Sequence, residues 1–400
     1  MLEPPRETSL VYLDNQAEVD RFLAAITGTR ELALDTEGAS FHRFVDRIYL
    51  LQLSTREKSA IIDPLPIGSP VGLGRLLEDA HVEKVFHDAD YDLRLLHQDY
   101  GWQTVNIFDT RVAAQLLGLK AFGLAALLER YFGVKLDKKH QRADWSLRPL
   151  TPGMLDYAAQ DTRYLLDLRD RLKEELHATG RWSWAAEEFA RLDGTRWDDE
   201  GDGLAWMRIK GARDLTRREL ALFRELVQWR DGVAKILDRA TFRVVGNEAL
   251  LTAAHDAPRT REALAAIRGM PRGIVDSRAN DVLAAIERGL AEPDANLPRF
   301  PKAPRWERDP DFDGRAARLK AVRDAAASRL SLDPGVLFSR ERLEAVARAN
   351  PRTADDLLRV NDVRRWQVDV LGADFLNALG EAPEAPEAPA TVDDSPYRDG

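Results

Sequence analysis

Three apolar, strand-like runs follow one another between residues 31 and 63, namely Glu31-Leu-Ala-Leu-Asp35, Ile48 to Ser54 and Ala60-Ile-Ile-Asp63, with no helical period to separate them. A parallel neighbour needs a crossover of a dozen or more residues, usually helical, whereas short links join antiparallel strands. The three runs therefore predict an antiparallel meander. Around it, strands and helices alternate. Ser9-Leu-Val-Tyr-Leu13 reads as a strand and Gln16 to Ile26 as an amphipathic helix. Beyond the meander come a helix near 71–80, the strand Lys84-Val-Phe-His87, a helix at 90–98, Ile107-Phe108, and helices at 109–117 and 122–132. Such alternation marks an α/β domain, and the meander makes its sheet mixed rather than doubly wound.

Thr151-Pro152 opens the next helix, with an N-cap hydroxyl and a proline at the first helical position, and the period carries that helix to about His177. Trp182 to Leu192 forms another, before the acidic, glycine-rich link Asp198 to Gly203. From Leu204 onward the pattern is helical only. At 400 residues the chain exceeds one ordinary core. The expected division is an α/β domain at 1–200, a helical module at 204–291, a proline-rich linker at 292–313 and a second helical module at 314–380. That second module reads as a degenerate repeat of the first. The tail at 381–400, Glu-Ala-Pro repeats and then acids, has no apolar period and is expected to be disordered.

The chain has no cysteine, which removes disulfides and Cys-ligated zinc or iron–sulfur sites. Oxygen and nitrogen ligands remain, and these suit hard cations. The net charge of −9 hides its distribution: residues 204–290 hold 16 Lys+Arg against 11 Asp+Glu, and the last twenty hold six acids and one arginine. A basic middle suits a phosphate-rich partner in spite of the acidic total. The first residues lack the apolar run of a signal peptide, and no stretch approaches 18 consecutive apolar residues, so a cytoplasmic location is expected.

Five residues carry chemical potential: Asp35-Thr-Glu37, Asp92 and Tyr157-x-x-x-Asp161. Side chains alternate along a strand, so Asp35 and Glu37 project to one side and can share a cation. Tyr157 and Asp161 lie one turn apart on one helical face, and Asp92 sits near a helix start, where an acid gains from the dipole. Each acid ends an apolar strand or lies on a polar helical face, so the carboxylates can converge without being placed in a core. Singly, each also admits a plain structural reading, as a solvated turn, a first-turn helix acid, or a core tyrosine beside an ion-pairing acid.

Together, the order Asp-x-Glu, Asp, Tyr-x-x-x-Asp resembles the tyrosine-containing branch of the DEDD exonuclease superfamily. The flanking segments Val85-Phe-His-Asp-Ala-Asp-Tyr-Asp-Leu93, Phe108-Asp-Thr110 and Asp144-Trp-Ser-Leu-Arg-Pro-Leu-Thr151 narrow the resemblance to the ribonuclease D family, over most of residues 9–195. It implies a ribonuclease-H-like mixed-sheet 3′-5′ exonuclease domain that hydrolyses RNA from its 3′ end to 5′-mononucleotides with two divalent ions, Mg²⁺ or Mn²⁺. By the same resemblance Asp35 bridges the ions, Glu37 and Asp161 hold the nucleophile-side one, Asp92 holds the other through water, and Tyr157 orients the attacking water. Asp109 reads as a structural residue at a strand–helix junction.

Residues 204–290 resemble a helicase-and-RNase-D C-terminal (HRDC) domain, on Leu222-Phe-Arg-Glu-Leu-Val-Gln-Trp-Arg230, Phe242-x-Val244-x-x-Asn247, Pro258 and Leu264-x-x-Ile267-x-Gly269. That motif mostly marks a core, and the second helical module resembles a divergent copy. Candidate nucleic-acid contacts are His87, the cationic group Lys138, Lys139 and Arg142, and Lys210. The expected partner is RNA, such as a tRNA precursor or another structured 3′ end, bound by a monomer with no membrane association. Two alternatives remain at this point: a DNA-directed 3′-5′ exonuclease, and a non-catalytic RNA-binding protein.

Overall fold

The computed structural model describes residues 9–137, 139–197, 204–301 and 309–380. Six strands form one sheet: β1 Ser9–Leu13, β2 Glu31–Glu37, β3 Leu50–Ser54, β4 Lys58–Ile62, β5 Glu83–Phe86 and β6 Ile107–Asp109. Their order is β1-β4-β3-β2-β5-β6. The meander is present, with β2–β3 and β3–β4 antiparallel and β1–β4, β2–β5 and β5–β6 parallel. The sheet is mixed, as the short links require.

Period-two alternation sorts the two faces. Leu32, Leu34, Leu53 and Ile62 pack with Val19, Phe22, Leu73, Leu77, Leu93 and Leu96 from the helices Gln16–Ala25, Val71–Glu78 and Asp90–Tyr100. On the opposite face, Leu50 and Ile61 pack with Met154, Ala158 and Ala159 of the helix Pro152–Arg163, beside Trp145. Asp35 and Glu37 belong to this second face. The helix expected to run from 152 to 177 is two, Pro152–Arg163 and Leu165–Ala178, broken at Tyr164. The first half lies on β2, β3 and β4 and the second on β2 and β5; the sheet twists between those strands, so one straight helix would not cover both.

The chain divides into two compact units, residues 1–305 and 306–400. Within the first, the helices Arg217–Ile236, Thr241–Val244, Asn247–Asp256, Arg261–Ala266 and Arg272–Ala291 form a bundle. Its two long helices approach so closely that a Cβ on Gly289 would stand 2.6 Å from Leu222 Cα, which is why glycine occupies that position. Residues 292–301, expected to be linker, fold back on this bundle. Arg217 Nη2 donates to Leu297 O (2.7 Å), Arg218 Nη1 donates to Glu292 O (2.5 Å), and Leu297 is buried. The second unit repeats the pattern with Phe312–Leu330, Pro334–Leu337, Arg340–Ala349, Ala354–Arg359 and Arg365–Gly380 around Leu319, Leu337, Phe338, Val346 and Phe375. The link at 198–203, residues 302–308 and the tail at 381–400 lie outside the described residues. Among the described residues, no helix is long and apolar enough to cross a membrane.

Candidate metal centre

Asp35 and Glu37 leave the end of β2 on the face covered by the helix that carries Tyr157 and Asp161. Thr151 caps that helix by accepting from Met154 N, and Thr162 ties it to the sheet through Ser54 Oγ at 2.8 Å. The result brings carboxylate oxygens of Asp35, Glu37 and Asp161 within 4.8 Å of one another. Thr36, between the two strand acids, faces the other way and meets Asp92. Its amide and hydroxyl both donate to Asp92 Oδ1, at 3.0 and 2.6 Å. Asp92 thus approaches from the opposite helical layer: one oxygen fixes the backbone between the two strand acids, and the residue stands beside the three-acid group rather than in it.

The acids are not at a solvated edge, as their sequence positions suggested. Asp92 is buried, and Asp35, Glu37 and Asp161 are half-buried with their carboxylates in a crowded site. Burial, and then the charges of Asp92, Asp161 and Glu37, push Asp35 well above the usual carboxylate range. Burial with Asp161 and Asp92 does the same to Glu37. Asp161 rises to about 7 through burial and Asp92. Asp92 rises to about 7 through burial, against the lowering pull of the Thr36 donors. The charges acting on Asp35, Glu37 and Asp161 are other carboxylates, so a cation suits the cluster. Hard oxygen ligands at this spacing fit a divalent ion. Gln52, directly opposite Asp35 in the β2–β3 register and therefore on its face, is fully buried, and neither amide atom has a partner among the described residues. A hydrated cation would satisfy it.

Tyr157 is raised above its ordinary value of 10 by burial and then by Asp161, Glu37 and Asp35. It keeps its proton at neutral pH and is a hydrogen-bond donor rather than a base. Its ring lies between Trp145, at 6.0 Å between centroids, and His140, at 6.2 Å. Trp145 is held by its own segment. Arg148 Nη1 donates to Trp145 O (2.7 Å), while Nη2 donates to Tyr49 O and Asp63 Oδ1, both at 2.9 Å. Burial works to raise Asp63, but its bonds from Arg148 and Tyr12 hold it below the carboxylate range. The sequence signal for Asp63, an acid closing an apolar strand, was the one that marked Asp35.

The remaining candidates separate. His87 Nδ1 lies 2.9 Å from Thr110 Oγ1, and burial, then Arg111, lowers it to about 4, so the ring is neutral at pH 7 and tied to the fold. Asp109 accepts from Asp88 N, Ala89 N, Arg111 N and Val112 N, and is structural as expected. Lys139 and Arg142 are exposed, and Arg142 lies over Phe41 with its Cζ 5.1 Å from the ring centroid. Lys138 lies outside the described residues. Lys210 is exposed in a turn of the first helical bundle and lines a cleft of about 650 Å³ with Arg213 and Phe300. Sequence reasoning passed over the loop after Glu37. There Arg43 Nε donates to Ser146 Oγ (2.6 Å), and Asp144 lies 3.6 Å from His42 Nδ1 and 3.8 Å from Arg43 Nη2.

Comparison with known proteins bears on family and fold. The family described as 3′-5′ exonuclease matches residues 10–177, and the HRDC domain family matches 219–286 and 312–379. Ribonuclease D of Nitrobacter hamburgensis is 30% identical over 359 residues, covering 89% of this chain and 91% of that one. Exosome complex component 10 of Rattus norvegicus is 31% identical over 308 residues, 73% of this chain and 34% of its own. Among solved structures, RNase D of Escherichia coli, described as an exoribonuclease involved in structured RNA processing, superposes with a TM-score of 0.71 at 25% identity, over 94% of this chain and 100% of that one. The catalytic core of RRP6 from Trypanosoma brucei gives 0.63 at 27% identity, over 72% and 82%.

Proposed function

The chain belongs to the ribonuclease D family, and from that premise we propose that it is a metal-dependent 3′-5′ exoribonuclease that releases 5′-mononucleotides. The observation that carries this is the convergence of Asp35, Glu37 and Asp161 oxygens within 4.8 Å, beside a protonated tyrosine. Asp35, Glu37 and Asp161, with Asp92 from the other layer, would hold two divalent ions, Mg²⁺ or Mn²⁺. When bound, such ions stabilise charge on the attacking, leaving and nonbridging oxygens of an in-line displacement.

The chain's own groups have distinct tasks. Asp92 keeps the Asp35-Thr36-Glu37 backbone in place through Thr36. Tyr157 would offer its O–H to orient the attacking water, whose oxygen joins phosphorus as the bond from phosphorus to the 3′ oxygen of the preceding nucleotide breaks; that oxygen takes a proton to become the new 3′ hydroxyl, and the terminal nucleotide leaves as a 5′-monophosphate. Arg148 and Asp63 fix Trp145, which supports the tyrosine ring. The basic first helical module, with Lys139 and Arg142 near the centre, supplies the phosphate contacts that a polyanion needs. The substrate class supported best is a structured RNA 3′ end, such as a tRNA precursor, acted on by a monomer in the cytoplasm.

The test is digestion of matched 3′-labelled RNA and DNA oligonucleotides with Mg²⁺ or Mn²⁺, with Asp35→Asn as control. Release of labelled 5′-mononucleotide from RNA, lost in the variant, is expected. Faster release from DNA would make the substrate DNA, and full activity in Asp35→Asn would sink the assignment of the centre.

A further inference from the structure

The loop that follows Glu37 leaves the metal centre and meets the first helical bundle. Phe44 N donates to Asp238 Oδ1 (3.3 Å), Arg43 pairs with Asp238 (3.3 Å), and Ala240 N donates to His42 O (3.2 Å). Across this junction Phe41 and Phe242 stand edge to face with ring centroids 6.2 Å apart. Neither is buried: Phe41 is 44% exposed and Phe242, expected in the bundle core, 54%. Removing a phenylalanine ring from water is favourable, so a contact that served only to join the two parts would hide both rings. Arg142 covers one side of Phe41. Arg239 and Arg243, close to Phe242 in the chain, are exposed.

The second helical module is an internal control. A shift of 93 positions places Thr241 on Pro334, Asn247 on Arg340 and Arg261 on Ala354, the first residues of three helices in each module. The same shift matches the left-handed residues Asp238 with Ser331 and Ala257 with Asn350. Positions that hold the bundle together keep their character. Arg230–Asp231 and Arg323–Asp324 are both ion pairs, and Val244, Leu337, Leu264 and Leu357 are all buried. The corner does not: Phe242, Arg239 and Arg243 correspond to Gly335, Leu332 and Val336. A bundle of this kind therefore folds without the aromatic and cationic corner, which the first module carries where it meets the nuclease loop.

We infer that Phe41 and Phe242, with Arg142, form a stacking platform for the single-stranded RNA bases just upstream of the 3′-terminal nucleotide. This rests on the exoribonuclease assignment and extends it to how the strand is led in. Phe41 is four residues past Glu37, at most ~14 Å along the chain, which spans no more than about four nucleotides at the stacked rise of ~3.4 Å. Aromatic faces accept any base, so such a platform holds the strand without reading its sequence. The guanidinium of Arg142 adds attraction to the ring and to phosphate.

The test uses the full-length chain carrying Asp35→Asn, so that RNA stays intact, with Mg²⁺ and a single-stranded RNA bearing 2-aminopurine at successive positions from the 3′ end. Fluorescence quenching is expected to peak within about four nucleotides of that end. Adding Phe242→Leu should remove the peak and weaken binding at least ~10-fold, the loss of one base stack, while Phe242→Tyr keeps both. Leucine retains the apolar contact with Phe41, so a mere strut would leave binding and quenching as they were, and that result overturns the inference. A quenching profile uniform along the strand overturns it too. Digestion of the same RNA by the unsubstituted chain is read separately. No digestion rules out the exoribonuclease assignment, whereas digestion together with unaltered Phe242→Leu binding rules out the platform alone.

Discussion

Asp161→Asn should destroy activity and, in the absence of metal, stabilise the protein. In the folded chain Asp161 is raised to about 7 by burial and by Asp92, whereas an unfolded aspartate titrates near ~3.9. A carboxyl raised on folding costs stability above its unfolded value, and that cost disappears as pH falls below it. Between about pH 4 and pH 7 the folded chain keeps protons that the unfolded chain has released, so stability falls as pH rises through that window. At ~1.36 kcal/mol per unit the cost at about pH 8 is on the order of 4 kcal/mol, less whatever neighbouring carboxyls relieve by holding a proton. An asparagine of the same shape removes the buried charge and its repulsion by Asp92, so a gain of roughly 2–4 kcal/mol is expected in EDTA. For a domain of this size that corresponds to about 5–10 °C in Tm. Differential scanning calorimetry reads it, with the nuclease-domain transition identified as the one that Mg²⁺ moves in the unsubstituted chain. Magnesium should raise that Tm and leave the variant nearly unmoved. A variant that melts at or below the unsubstituted chain in EDTA would refute the view that the site is built as uncompensated negative charge.

Other consequences are open to measurement. His87, held neutral at about 4, has a folded value below its unfolded ~6.5, so stability is lost as pH falls from about 6.5 towards 4, by roughly 2–3 kcal/mol. His87→Asn should lose correspondingly less between neutral and acidic pH, and equal losses by thermal melts would show that His87 titrates freely. Gln52→Leu removes a buried amide that has no partner among the described residues, so it should stabilise the metal-free chain by about 1–2 kcal/mol. It should also slow hydrolysis about tenfold, the scale of losing a group that supports metal ligands. A destabilised but fully active variant would place Gln52 outside the centre.

Much of this was legible because two periodicities do the placing. The strand period puts Asp35 and Glu37 on one face, and the helix period puts Tyr157 above Asp161. The absence of a helix between 35 and 63 was enough to specify the meander. What the sequence left hidden depends on which layer meets which. The alternation that joins Asp35 to Glu37 turns Thr36 to the far side, and only the packing of the Asp90–Tyr100 helix there makes Asp92 a partner of Thr36. The break at Tyr164 answers to sheet twist, which no helical pattern records. Phe242 sits in a segment whose apolar residues suggested core, yet Val244 and Val245 fill the core and Phe242 looks out towards Phe41. Residues 292–301 carry the prolines of a linker, but Arg217 and Arg218 capture their carbonyls across the bundle.

The most direct test of the account is digestion of a 5′-labelled RNA by the purified chain with Mg²⁺, resolved to single nucleotides. The account predicts a ladder that shortens stepwise from the 3′ end, stops on addition of EDTA and does not appear with Asp35→Asn or Asp161→Asn. Internal cleavage, shortening that continues in EDTA, or an undiminished ladder from either variant would contradict it.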